Sequence, residues 1–424
     1  MNKIIKDKYD ETYYTKTLSN GLKVTIYYKP EFTTTSCVFG TPFGASDLYQ
    51  HEEGNSHQFH SGLAHFLEHK MFETKGEDVM LQFNAMGANV NAFTSYDCTV
   101  YYFTTSDEDV ATPLNLLMDF VQDFDVSEES VEKEKEIIVQ ELMMYQQMPD
   151  FRLIFELYKS MYHDNPIKYD IGGSKEDVLS VTREELMSSY RLNYHPSRMS
   201  LVIATWMDPE QLMNLIEQNQ NKKSFLNQPE VSSNYHESNK SVKHPYREVE
   251  MDVNNTKVAL GYKFSLDYQQ RNQTLEKEWG LQLLMEMHFT SVNPSYQKWL
   301  DDGLINSYFN FDVEFGKGYA HLLFMNECED PQAFKDFIDQ QLAIIKEKTI
   351  NVQCLNQIKN RFYGLAFKVF DDIESIAVNH IRNEFQGIDY FDMIELILKL
   401  DALKLKNIIT NIDLSQASLV VIKK

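Results

Sequence analysis

The sequence predicts an α+β fold of two similar domains, each a mostly antiparallel sheet packed with helices. Two observations carry this. The 424 residues amount to two or three ordinary domains, and the elements run twice through one order of sheet, helix, paired strands, helices and strand. Composition is that of a globular protein, with 43% hydrophobic, 24% charged and 13% aromatic residues, too apolar for a disordered chain. The 40 Lys and Arg against 63 Asp and Glu give a net charge of -23. A field of that sign repels phosphate backbones and anionic lipid and attracts basic peptides, so no nucleic-acid partner is expected.

Residues 22–28 alternate in polarity after the turn Ser19-Asn20-Gly21 and predict a strand, with 33–39 as its neighbour. From 60 to 83 the apolar spacing becomes helical, and 89–105, rich in Val, Tyr, Phe and Thr, reads as a pair of strands. A long helix starts near Ser127, a good N-cap, followed by Glu128 and Glu129 at the positive end of the helix. Helices fill 150–194, the turn His195-Pro196-Ser197 leads into a strand at 199–204, and a further helix follows Asp208-Pro209. Between 219 and 246 the composition shifts to Asn, Ser, Lys, Gln, Pro and His, which cannot support a core. A linker is therefore expected at 221–246, separating domains of residues 1–220 and 247–424. The second half restarts with strands in 247–264, a helix at 275–288, and strands at 305–314 and 319–325. Long helices and a strand at 417–422 close it.

Neither a secretory signal nor an apolar run of membrane-spanning length is visible, so a cytoplasmic protein without membrane contact is expected. Cys37, Cys98, Cys328 and Cys354 lie far apart with no CxxC pair and read as reduced, mostly buried thiols.

The strongest local signal is His65-Phe66-Leu67-Glu68-His69. On a helix, imidazoles at i and i+4 share a face and reach one metal ion. A helical wheel groups His65, Glu68, His69 and Phe72 on one side and Leu63, Phe66, Leu67 and Met71 on the other, leaving Lys70 for solvent. Five residues alone are suggestive only. A catalytic zinc takes three protein ligands and keeps an open position, so a third donor is required. The helix after Ser127 offers one. Glu134 and Glu141, seven residues apart, fall in the stripe of Val131, Ile138, Leu142 and Tyr145, while Glu132, Lys133, Lys135 and Glu136 read as a solvated face. An unpaired buried carboxylate costs several kcal/mol, so inward acids need a cation or donors. Zn2+ held by His65, His69 and Glu141 satisfies Glu141 and activates water. Glu68 is then the general base and Glu134 orients a ligand or the water.

These residues carry a resemblance. The run from Gly62 to His69, the segment Gly87-Ala88-Asn89-Val90-Asn91-Ala92-Phe93-Thr94, and Glu134 followed by Glu141 resemble the inverted zincins of the pitrilysin, insulysin and mitochondrial processing peptidase family. Within it the segment is similar to the YmfH-like zinc proteases of Gram-positive bacteria, half-length members of two α+β domains per chain. The resemblance implies zinc at His65, His69 and Glu141, catalysis by Glu68 supported by Glu134, and a catalytic N-terminal and non-catalytic C-terminal domain. It also implies an edge strand of Val90, Asn91, Ala92, Phe93 and Thr94 that binds peptide substrate by β-augmentation. Asn91 is equally readable as the residue closing a strand bend. Members of the family grip substrate with an Arg and a Tyr of the second domain, where Asp301 and Asn306 stand here. The family's chamber needs four such domains. A heterodimer with a related non-catalytic subunit, or a homodimer, is therefore expected.

The function expected is that of a zinc metalloendopeptidase acting on short or unfolded peptides in a closed chamber. The competing class is a peptide-binding or assembly subunit with a vestigial zinc site. His57 and His60 read as loop histidines, and His288 as a satisfied residue at the core edge. The aromatic run from Tyr308 to Phe315 reads as strand packing.

Overall fold

In the computed structural model, which describes residues 1–74, 77–226, 230–235, 237–265 and 271–424, the chain forms two compact α+β units. The first holds Met1–Leu142, Asp170–Asn234 and Phe367–Tyr390, and the second holds Met143–Tyr169, Tyr235–Ala366 and Phe391–Lys424. A single cut at a linker therefore does not describe the division. Each half of the sequence lends a segment to the unit built mainly by the other.

The first unit's sheet runs Asn2–Lys6, Glu11–Thr17, Lys23–Tyr28, Ser200–Thr205, Thr35–Thr41, Thr99–Thr105, Ala88–Thr94. All neighbours are antiparallel except Lys23–Tyr28 with Ser200–Thr205. The second unit's sheet runs Tyr246–Glu250, Ala417–Lys423, Lys257–Lys263, Tyr319–Glu327, Asn310–Gly316, and its first pair is again the parallel one. The last five strands of the first sheet repeat this order and sense, so the twofold pattern of elements corresponds to one topology built twice.

The lent helices follow from strand burial. Thr35–Thr41 and Ser200–Thr205 are buried at every position, which requires cover on both faces. Helix Ile373–Phe385 supplies one cover, and helix Pro149–Met161 does the same for Lys257–Lys263 and Ala417–Lys423 in the second unit. Gly261 lies under the latter crossing. A Cβ there would sit 2.3 Å from Met161 Sδ, so only glycine lets the helix approach so closely.

Several expectations are corrected. Strands Asn2–Lys6 and Glu11–Thr17 precede the first strand anticipated. The former is largely exposed and lacks the apolar alternation that marks a strand. The stretch 60–83 is two helices, Leu63–Met71 and Val79–Ala85, separated by the short pair Glu73–Thr74 and Glu77–Asp78. Asp78 caps the second helix through Met80 N–H. Within the stretch read as linker, Val231–Ser233 pairs with Tyr49–Glu52. The strand expected from 305 begins at Asn310, because Asn306 Oδ1 accepts from Tyr308 N–H and makes a turn.

Candidate metal centre

The histidine helix, Leu63–Met71, starts at Gly62, whose φ of 85° is left-handed. A Cβ on Gly62 would lie 2.2 Å from the Gly172 carbonyl oxygen. The helix start is therefore seated on the backbone of 170–174, with Ser61 Oγ bound to Asp177 and accepting from Ser174 N–H. Leu63, Phe66, Leu67 and Met71 are at most 1% exposed, which anchors the apolar side in the first unit's core. His65, Glu68 and His69 occupy the other side. The glutamate helix, Glu128–Gln146, begins as expected, with Ser127 Oγ accepting from Ser130 N–H at 3.1 Å. Its buried Val131, Ile138 and Leu142 hold Glu134 and Glu141 in the half-buried stripe between them.

These two helices bring the predicted donors together. His69 Nε2 is 3.5 Å and His65 Nε2 3.9 Å from Glu141 Oε2, and the two imidazole rings are 4.5 Å apart between centroids. His65, His69 and Glu141 form the one group of three such side chains, among the described residues, with one donor atom each within 4.8 Å of the others. Tetrahedral zinc with bonds of about 2.1 Å separates its ligand atoms by about 3.4 Å, so the donors stand slightly outside that distance.

Protonation suits a cation. Burial, reinforced by His69, lowers the pKa of His65 to about 3, leaving a neutral imidazole. His65 Nδ1 is buried with no hydrogen-bond partner, and Nε2 lies beyond hydrogen-bond reach of Glu141. His69 Nδ1 lies 3.0 Å from Glu134 Oε1. Burial and the bonds from His69 and Lys70 act oppositely on Glu134, and the bonds win, holding it below the usual carboxylate range. An ionised Glu134 only accepts, so Nδ1 carries the proton and the Nε2 lone pair of a neutral His69 faces Glu141. Burial would lower the His69 pKa, yet the Glu134 bond and the charges of Glu68, Glu134 and Glu141 raise it. A pocket that favours a proton on this ring favours a divalent cation more strongly. The donor set fits zinc.

Glu68 lies alongside. Its Oε2 accepts from Thr94 Oγ1 at 2.7 Å, and burial raises its pKa against the opposing pull of that bond. Thr94 ends the edge strand Ala88–Thr94, which among the described residues pairs with Thr99–Thr105 alone. Val90 is buried in the core and Asn91 is exposed, with Ala92, Phe93 and Thr94 half-buried. Asn91 Oδ1 accepts from Ala92 N–H at 2.9 Å. Val90 therefore offers only its backbone to anything docking at the edge.

Three expectations about side chains are corrected. Lys70 is 2% exposed rather than solvent-facing, bound to Glu73 and to Glu134 at 3.1 Å. Its neighbours one turn back, Phe66 and Leu67, were the available signal. Lys135 is also buried and paired with Glu132 at 2.6 Å. His57 lies in strand Asn55–Gln58 with Nε2 3.2 Å from Glu52 and so is not a loop histidine, whereas His60 lies in a loop as expected, its Nδ1 2.8 Å from Glu185. His288 is satisfied by Gln341 at 3.0 Å, as expected. In the second unit Asp301 ends an exposed helical turn, and Asn306 Nδ2 donates to the Glu327 carbonyl at 2.8 Å.

Two α+β units of one topology, the first carrying a His, His, Glu donor set with Glu68, held by Thr94, beside it, are the features of a zincin-like class. Residues 55–175 match the profile of Insulinase (Peptidase family M16), and residues 180–362 that of the Peptidase M16 inactive domain. The uncharacterized zinc protease YmfH of Bacillus subtilis is 33% identical over 407 residues, covering 95% of this chain and 94% of that one. The chain belongs to peptidase family M16. Its fold matches a crystal structure described as an M16-like peptidase from Alicyclobacillus acidocaldarius with a TM-score of 0.90 and 29% identity, over 97% and 98% of the two chains. The mitochondrial-processing peptidase subunit beta of Neurospora crassa is 33% identical over 205 residues, covering 47% of this chain and 41% of that subunit. No helix among the described residues is long and apolar enough to cross a membrane.

Proposed function

We propose that this chain is a zinc-dependent endopeptidase that hydrolyses short or unfolded peptides in a closed chamber completed by a second chain. That chain is a related non-catalytic subunit or a second copy. The observation that carries the reading is the convergence of His65, His69 and Glu141 with Glu68 beside them. The resemblance of 205 residues of the chain to a processing peptidase subunit supports the pairing. Cys37 and Cys98 are buried thiols and Cys328 and Cys354 half-buried ones, which accords with work in the cytoplasm.

Zinc held by His65, His69 and Glu141 supplies Lewis acidity to a water and to the scissile carbonyl. The chain's own residues do the rest. The backbone of the edge strand holds an extended peptide by main-chain hydrogen bonds, which asks little of its side chains. Thr94 fixes one oxygen of Glu68 and leaves the other to accept the proton of the attacking water and deliver it to the departing amine. Glu134 holds His69 in one orientation and tautomer. The test is zinc content by elemental analysis, then cleavage of a quenched peptide library with and without chelator and a candidate partner. One zinc per chain and chelator-sensitive cleavage are expected. Zinc without cleavage in any pairing favours a peptide-binding subunit instead.

The pH profile is a second expectation. Glu68 accepts a proton only when ionised, so kcat/KM falls as pH drops and Glu68 is protonated; burial raises its pKa, and the charge of a bound zinc would pull it down. Thr94→Val removes the hydrogen bond that opposes burial and moves this acid limb to higher pH with zinc content unchanged. A limb that stays in place in Thr94→Val contradicts the role given to this bond.

A further inference from the structure

We infer that Lys70 is a positioning residue of the metal centre, holding Glu134 in place and through it the imidazole of His69. The inference rests on the zinc reading above. Lys70 lies in the last turn of the histidine helix, and its side chain is 2% exposed. A buried ammonium persists only where it is paired. Here Nζ contacts Glu73 and lies 3.1 Å from Glu134 Oε2, while the other oxygen of Glu134 is bonded to His69 Nδ1. Glu73 in turn accepts from Ser130 Oγ at 2.6 Å, one turn before Glu134 on the glutamate helix.

The chain Ser130, Glu73, Lys70, Glu134, His69 thus ties the glutamate helix to the end of the histidine helix at two points, residues 130 and 134. Glu141 follows two turns later on the same face, opposite His69. With Lys70 gone, one oxygen of Glu134 loses its partner and the carboxylate is free to rotate. The hydrogen bond that sets the His69 ring plane and directs its Nε2 lone pair toward Glu141 then weakens. Loss of the direct partner of a metal-ligating histidine, here Glu134, typically costs about 10–100-fold in metal affinity, which is the upper bound for a residue that acts through it.

The test compares the full chain with K70M, E134Q and K70M/E134Q by zinc competition against a chromophoric chelator and by the absorption bands of the cobalt(II)-loaded proteins. E134Q is expected to bind zinc about 10–100-fold more weakly, and K70M more weakly than wild type by up to that factor, with altered cobalt bands. In the E134Q background the same change is expected to cost little more, because Lys70 acts through Glu134. Should K70M fail to fold, K70Q, whose shorter uncharged side chain withdraws the ammonium from Glu134, takes its place in both backgrounds. Wild-type zinc affinity and cobalt bands in K70M, or an equal loss in both backgrounds, would overturn the inference while leaving the zinc reading intact. A wild-type chain that binds no zinc removes that reading, and the inference with it.

Discussion

Glu68→Gln is expected to abolish peptide hydrolysis, lowering kcat by about 10²–10⁴-fold, while zinc stays bound. The two side chains have nearly the same shape, and the amide oxygen of Gln still accepts from Thr94 Oγ1, which holds Glu68 at 2.7 Å. The difference is chemical: an amide cannot take the proton of the attacking water. His65, His69 and Glu141, the donors grouped within 4.8 Å, are untouched by the change. Elemental analysis and single-turnover hydrolysis of a quenched peptide separate the two readouts. Hydrolysis at the wild-type rate in zinc-loaded Glu68→Gln protein would contradict the assignment of Glu68.

His69→Ala and Glu141→Ala are expected to lose zinc and hydrolysis together. Each removes one of three donors, and His69→Ala also leaves Glu134 with Lys70 as its remaining partner. Zinc affinity of the wild-type chain should fall as pH falls. The Glu134 bond and the surrounding carboxylates outweigh burial and raise the pKa of His69, so its ring binds a proton in competition with the metal. Titration with a chelating indicator at two pH values measures both effects. Stoichiometric, wild-type zinc affinity in Glu141→Ala would remove that carboxylate from the site.

Much of this site was legible in the sequence because helical periodicity is local. His65 and His69 face one way at i and i+4, and Glu141 shares a seven-residue stripe with Glu134 between the buried Val131, Ile138 and Leu142. The apolar runs at 22–28 and 33–39 located the strands Lys23–Tyr28 and Thr35–Thr41, but both are buried at consecutive positions rather than alternately, and Ser200–Thr205 lies between them where they were expected to be neighbours. Lys70 was misread because its aliphatic stem can lie in the core only when partners meet its charge, and Glu134 lies 64 residues away. The same holds for the lent helices. Complete burial of Thr35–Thr41 calls for a second cover, but nothing near it in the chain names Ile373–Phe385. The strand Asn2–Lys6 escaped notice because it carries little buried surface to impose a pattern.

The most direct measurement is anomalous scattering at the zinc edge from crystals of the metal-loaded chain. The account predicts one strong peak in the first unit within bonding distance of His65 Nε2, His69 Nε2 and a carboxylate oxygen of Glu141. A peak elsewhere, or rings and carboxylate turned away from a shared point in the loaded protein, would contradict it.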